Sequence, residues 1–342
     1  RDVAPSRGLG DVYKRQILLL YEISQKNSID FCKIILLYTS QENPFTLIEK
    51  TFILKERNSS DWRPIMAIKA IVMDIDGTLL TSEKKISPKT RQALVDAQKQ
   101  GLSLILASGR PTNGMRPLAD ELEMAHYNGH LLSYNGACVT HHGSQQQLFN
   151  QTISKSLSQQ ILEHLKQFDV IPMINDETFM YVNDVFHNTL HLETGDFNII
   201  EYESRGGNFQ LCEWHDLAAR LNFPLNKILI AGEPAYLQKY HEAIYAPFKE
   251  TVTAAFSAPF YFEFTAKNID KARSLEKLTL QLGITAEEVI AFGDGHNDYT
   301  MLEWAGTGIA MENAVDELKS IATEVTLSND NDGIAVALAN FL

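Results

Sequence analysis

The five residues Asp74-Ile75-Asp76-Gly77-Thr78, placed directly after the apolar run Ala67-Ile68-Lys69-Ala70-Ile71-Val72-Met73, constrain this chain more than any other feature. A short, nearly continuous apolar run reads as a strand buried on both faces, the pattern of a parallel sheet. The two carboxylates stand two residues apart, so an extended backbone points them to one side. Open α/β sheets gather their chemistry at that carboxyl edge. Gly77 permits a sharp turn, and the Thr78 hydroxyl can hold the loop. Like charges this close repel unless a cation joins them. The pair therefore predicts a divalent metal and one carboxylate available as a nucleophile.

Strand and helix patterns alternate from Met66 onward, which predicts an α/β fold built on a doubly wound parallel sheet. Ser87-Pro88 marks a helix start, with serine at the cap and proline at the first helical position, and Gly101 marks its end. A second strand is expected over 102–107, a helix over 113–123 and a third strand over 131–134, followed by a turn at 140–144. From about residue 151 the texture changes: helix signals over 154–168 and 234–247 mix with short strands over 170–174, 179–182, 227–231 and 251–256, without a sharp motif. That stretch reads as a smaller α/β domain inserted into the first, with boundaries near 148 and 258. The segment Phe260-Tyr261-Phe262-Glu263-Phe264 is expected to return the chain to the main domain, so that 66–147 and 259–342 form one core. A helix over 270–282, a strand over 289–292, a helix after Asn297, a strand over 308–311 and two closing helices complete it.

The 342 residues suffice for two ordinary domains, and 44% hydrophobic with 21% charged residues is a globular composition. A formal net charge of -13 argues against nucleic acid and anionic membrane as partners, since both require a basic footprint. No apolar run reaches the roughly 18–20 residues of a membrane span. Cys32, Cys138 and Cys212 are scattered and form no C-x-x-C pair, so reduced thiols in a cytoplasmic protein are expected. All eight methionines lie at or after Met66, and residues 1–65 carry apolar stretches without a sustained period. This extension is read as upstream sequence joined to a natural start at Met66, either not native or poorly ordered, the alternative being a real N-terminal extension that packs on the core.

Four strand ends carry polar groups that can converge. Beside Asp74 and Asp76 stands Ser108-Gly109, a hydroxyl and a flexible backbone suited to phosphate oxygens. Lys271 opens a predicted helix, where its ammonium and the free backbone N–H groups both favour an anion. The run Gly293-Asp294-Gly295-His296-Asn297-Asp298 breaks an apolar strand into a loop with two more acids.

In this order, D-I-D-G-T, S-G-R, a lysine and G-D-G-H-N-D resemble the haloacid dehalogenase superfamily of phosphatases. Y-N-G-A at 134–137 and the long insertion between the second and third motifs resemble its Cof-type branch, sugar-phosphate phosphatases with a large α/β cap. The resemblance covers 66–342 and leaves out 1–65. It implies that Asp74 attacks phosphorus, forms an aspartyl-phosphate and binds Mg²⁺. Asp76 is implied to protonate the leaving alcohol, to deprotonate the attacking water, and to contact the metal through its carbonyl. Asp294 is implied as the other metal ligand. Ile75, Ser108, Gly109, Lys271 and Asn297 are implied to hold the phosphate, while Thr78 and Asp298 support the site. Arg110 and Asn135 stand at strand ends where they can touch substrate. The implied partner is a small phosphorylated metabolite, with the oligomeric state left open.

Two positions depart from the family pattern: Ala272 replaces the usual glycine after the motif lysine, and Ser108 the more common threonine. Both replacements keep the size or the hydroxyl that the position needs. Lys267, four residues upstream, competes with Lys271, but only Lys271 opens a helix. His187 and His191 would share one face of a helix; no glutamate follows His187 and no third ligand is evident, so an ordinary face is expected. Two other readings stay open: a phosphomutase or phosphotransferase using the same intermediate, and a non-catalytic protein that binds phosphorylated metabolites. Asp76 is expected to carry a raised pKa when it acts as an acid.

Overall fold

The computed structural model describes residues 18–26, 29–39, 47–55, 68–192 and 195–341, the first three segments by their backbone alone. Two compact units divide at Ile65/Met66. In the first, β1 (Leu18–Lys26), β2 (Ile29–Thr39) and β3 (Leu47–Lys55) pair antiparallel in the order β1-β2-β3. The apolar stretches of 1–65, lacking a sustained period, predict no element there.

The second unit contains an eight-stranded sheet. Its strands are β4 (Ala70–Met73), β5 (Ser103–Ala107), β6 (His130–Ser133), β7 (Cys138–His141), β8 (Gln147–Asn150), β17 (Val289–Gly293), β18 (Thr307–Ala310) and β19 (Glu324–Val325). The order is β19-β18-β17-β4-β5-β6-β7-β8, parallel from β19 to β6 and antiparallel beyond. The alternation of side chains along each strand explains why both faces are apolar. Ile71, Met73, Leu104, Leu106, Ile290 and Phe292 join one cluster, which packs Leu94, Met115 and Ile334 from the helices Pro88–Lys99, Thr112–Glu121 and Gly333–Leu338. Ala70, Val72, Ile105, Ala107 and Ala291 join the other, against Leu275, Leu302 and Leu318 from the helices Lys271–Leu282, Tyr299–Trp304 and Asp316–Ile321. Helices thus cover both faces of the parallel sheet, as the alternating pattern predicted. The Ser87 hydroxyl accepts from the Thr90 amide at the first helix start, and Gly101 follows that helix at φ 96°.

Between β8 and the helix at Lys271 the chain builds a second sheet. It comprises β9 (Ile171–Asn175), β10 (Phe179–Val182), β13 (Gln210–Glu213), β14 (Lys227–Ala231), β15 (Val252–Ala258) and β16 (Tyr261–Ala266), ordered β13-β10-β9-β14-β16-β15. A separate hairpin pairs β11 (Thr189–Leu192) with β12 (Gly195–Asn198). Two readings change here. The segment Phe260–Phe264 does not return to the main sheet: β16 lies between β14 and β15, because Phe262, Phe264 and Ala266 alternate toward the inserted domain's own core. Gln147–Asn150 meanwhile pairs with β7, so the change of sheet falls after 150 and after 266 rather than at 148 and 258. His187 and His191 share no helix either; His191 lies on β11, and its Nδ1 is 2.8 Å from the Asp196 carboxylate. Among the described residues no helix is long and apolar enough to cross a membrane.

Phe264 is fully buried in the core of the inserted sheet. Phe264→Ala should therefore cost about 3–5 kcal/mol of stability, read as a lowered urea midpoint by circular dichroism; an unchanged midpoint would show that this strand is not core.

Candidate active site

The carboxyl ends of β4 and β17 lie side by side, and the two acidic loops follow directly from them. The Asp74 amide donates to the Phe292 carbonyl at 3.0 Å, extending the ladder by one step. Leu79 and Leu80 then donate back to the carbonyls of Asp74 and Ile75, folding 74–80 into a tight turn. Gly77 takes φ 85°, and a Cβ there would collide with the Asp294 carboxylate. Glycine is thus required both for the backbone and for the space. The Thr78 hydroxyl donates to Asp294 Oδ1 at 2.5 Å, linking residues 216 positions apart.

Lys271 begins its helix, with the Asp270 side chain capping through the Arg273 amide. Its side chain is fully buried, and Nζ donates to Asp74 Oδ1 at 2.5 Å and to Asp298 Oδ1 at 2.6 Å. The rival Lys267 is partly exposed and faces Glu250 instead. Asp298 uses its other oxygen on the amides of Asp294 and Gly295 at 3.0 and 2.9 Å. Both Asp298 oxygens are therefore engaged. Asp74 Oδ2 and Asp294 Oδ2 accept no hydrogen bond from the described residues.

Ligand atoms of Asp74, Asp294 and Asp298 all lie within 4.8 Å of one another. One ammonium among these carboxylates leaves an excess of buried negative charge. Burial pushes the Asp74 carboxyl well above its ordinary range, against the pull of Lys271. Burial likewise raises Asp294, to about 6, only partly offset by the Thr78 hydroxyl. Burial disfavours the Lys271 ammonium, yet Asp298 and Asp74 outweigh it and raise its pKa. An all-oxygen donor set with uncompensated charge fits a divalent cation.

At Asp76 two cations act against burial. Burial alone would raise its carboxyl, but Arg110 and then Lys84 outweigh that and hold it below its ordinary value. Arg110 grips it at both oxygens, Nε to Oδ2 at 2.6 Å and Nη2 to Oδ1 at 2.7 Å, and Lys84 Nζ approaches Oδ1 at 3.0 Å. Arg110 thus touches the motif, not only the space for a ligand. Its own amide donates to Ser108 Oγ at 3.2 Å. Asn135, at φ 55°, donates from its amide to the Ser108 carbonyl, and its side-chain oxygen accepts from Asn297 Nδ2 at 3.0 Å. Gly109 faces the Asn135 amide group so closely that a Cβ would sit 3.2 Å from it. Ile75 is fully buried.

A cavity of about 370 Å³ opens here, lined on one side by Asp74, Asp76, Ser108, Gly109, Arg110 and Asn297. The opposite wall carries Glu203, Lys227, Tyr261 and Glu263. The sequence singles out neither Glu203, Lys227 nor Lys84, and it marks Tyr261 and Glu263 only as part of a strand. Lys84 sits in a charged run, Glu83-Lys84-Lys85, that reads as solvated surface. Lys227 did leave a signal, a lysine opening an otherwise apolar strand, Lys-Ile-Leu-Ile-Ala.

Known proteins share this arrangement of elements. The family model for haloacid dehalogenase-like hydrolases matches residues 71–338. Phosphatase YwpJ of Bacillus subtilis is 29% identical over 292 residues, covering 80% of this chain and all of the relative. A 5-amino-6-(5-phospho-D-ribitylamino)uracil phosphatase of the same organism, YcsE, is 30% identical over 278 residues, 80% of this chain and 96% of the relative. The crystal structure of a haloacid dehalogenase-like hydrolase from Bacteroides thetaiotaomicron superposes with a TM-score of 0.73 at 33% identity, covering 80% of this chain and 100% of that one. Relatives of this kind act on phosphate esters, and the non-catalytic reading falls away. The chain belongs to the haloacid dehalogenase-like hydrolases and is a phosphoric monoester hydrolase.

Proposed function

We propose that this enzyme is a Mg²⁺-dependent phosphatase of small sugar or polyol phosphates that works through an aspartyl-phosphate. The observation that carries the reading is the buried contact of Lys271 with Asp74, beside the two carboxylate oxygens of Asp74 and Asp294 that lack a partner among the described residues. Asp74 and Asp294, with the Asp76 carbonyl, would hold the ion, and Asp298 would keep the loop and the lysine in place. When bound, Mg²⁺ supplies positive charge to phosphoryl oxygens and relieves repulsion between the ester and the carboxylates.

Asp74 Oδ2 attacks phosphorus as the bond to the leaving oxygen breaks, and Asp76 gives its proton to that oxygen. Asp76 then takes a proton from water, whose oxygen attacks the same phosphorus and releases Asp74 and inorganic phosphate. The proton gained from water serves the next cycle, so the balance closes. Arg110 and Lys84 favour the carboxylate form of Asp76, the form the second half-reaction needs. Ser108, Gly109, Asn297 and the Ile75 backbone would direct hydrogen bonds at the phosphoryl oxygens, and Lys271 would neutralise their charge. The inserted domain, residues 151–266, covers this cavity and would exclude water from it. Polyol phosphates suit a relative that is named for a ribitylamino phosphate. The free thiols Cys138 and Cys212 suit a reducing, cytoplasmic setting.

Asp74→Asn should lower phosphate release from p-nitrophenyl phosphate on the order of 10⁴-fold with an unchanged circular dichroism spectrum; undiminished turnover would remove Asp74 as nucleophile. Chelation by EDTA should abolish turnover and added Mg²⁺ restore it, whereas activity persisting in EDTA would rule out the assigned ligands. In Asp76→Asn, p-nitrophenyl phosphate should give a burst of nitrophenol equal to the enzyme and then slow turnover, because this leaving group needs no proton while the water step does. A sugar phosphate should show no burst. Equal bursts from both would take the proton transfer away from Asp76.

A further inference from the structure

The wall facing the catalytic loops has its own chemistry, and what it implies rests on the phosphatase reading above. Lys227 on β14 is 9% exposed, and its Nζ lies 3.1 Å from Glu263 Oε1 on β16 and 3.4 Å from the Gly109 carbonyl. Glu263, also largely buried, accepts at the same oxygen from the Ser257 hydroxyl at 2.7 Å. Glu203, on the helix Ile199–Gly206, accepts from the Tyr261 hydroxyl at 2.6 Å. Among the described residues, Oε2 of Glu203 and Oε2 of Glu263 accept no hydrogen bond. The wall thus offers two carboxylates against one ammonium, and that ammonium is already paired. Burial raises the Glu203 carboxyl, against the pull of Lys227, the Tyr261 hydroxyl and Arg110.

A carboxylate oxygen only accepts hydrogen bonds. Its natural partner here is an O–H group, which an ordinary phosphate dianion or carboxylate at neutral pH lacks. We propose that Glu203 and Glu263 are specificity-determining residues, which accept hydrogen bonds from hydroxyls of a neutral, polyhydroxylated leaving alcohol and turn away esters whose alcohol carries a second phosphate or a carboxylate. The selection works partly by repulsion: a second anion would enter a wall with excess negative charge and little water to screen it. The cavity, about 370 Å³, has room for a phosphoryl group and an alcohol of sugar size.

Matched esters test this. The wild-type enzyme is assayed with glucose 6-phosphate against 6-phosphogluconate and with fructose 6-phosphate against fructose 1,6-bisphosphate. The neutral member of each pair should be preferred roughly tenfold or more in kcat/KM. The double variant Glu203→Gln/Glu263→Gln should narrow that ratio to within about threefold, and each single variant should move it part of the way. A purely structural role would lower both members together and leave the ratio unchanged, which would overturn the proposal. A wild-type enzyme that accepts both members equally, or that turns over p-nitrophenyl phosphate but no hydroxylated ester, would also overturn it. Absence of p-nitrophenyl phosphate turnover with Mg²⁺ would remove the phosphatase reading itself, and this proposal with it.

Discussion

Everything at this site follows from one buried ammonium. Lys271 Nζ has no access to water and sits between Asp74 and Asp298. Leaving such a charge with a partner removed is strongly unfavourable, of order 3–5 kcal/mol. Residues 74, 271 and 298, far apart in the chain, must therefore meet at one point. The sheet makes that possible: β4 and β17 are neighbours, and their register brings Phe292 beside Met73, so that both loops leave the same edge. Asp298 transmits the constraint onward, since its second oxygen clamps the amides of Asp294 and Gly295 and thereby aims the Asp294 carboxylate. Gly77 and Gly293 complete the arrangement by leaving out side chains where those carboxylates lie.

The two walls of the cavity divide the work by charge. The core wall pairs its cations with the carboxylates of the first acidic loop: Lys271 with Asp74, and Arg110 and Lys84 with Asp76. The wall of the inserted domain keeps two carboxylates with one lysine. Most of the cavity's cations thus stand on the core wall. Lys227 joins the walls by reaching the Gly109 carbonyl, and this lysine is the cation that tempers the negative wall.

The core of this reading was legible in the sequence because its chemistry is confined to strand ends with distinctive residue orders. Asp74, Asp76, Asp294 and Asp298 lie in two motifs whose glycines and neighbouring apolar strands announced their backbone. Lys271 was separable from Lys267 by its place at a helix start, and burial divides the two in the structure. The inserted domain was legible only as texture. Its strands β9, β10, β14 and β15 were found near their observed positions, but β11, β12, β13 and the helix Ile199–Gly206 are short and amphipathic, with local patterns too brief to count. Glu203 and Glu263 gain meaning only from a cavity formed by distant segments, so no local pattern announces them. The cations around Asp76 were hidden for a related reason: Arg110 and Lys84 reach it from separate turns, and their combined pull outweighs burial.

The way the second sheet is attached carries a mechanical consequence. Its two connections to the core run together, with Gln151 Nε2 donating to the Lys267 carbonyl at 2.7 Å and the Gln151 amide to the Ala137 carbonyl at 2.7 Å. Four residues beyond Lys267 the helix begins with Lys271, already locked between two carboxylates. Rotation of the inserted domain must therefore be absorbed on its own side of Gln151 and Lys267, because motion passed beyond them would pull the ammonium from its partners at the cost of a buried unpaired charge. The ion triad thus shields the geometry of the strand-end loops from motion of the inserted domain. The long insertion can vary in shape or contact while the positions of Asp74, Lys271 and Asp294 stay fixed by the sheet beneath them.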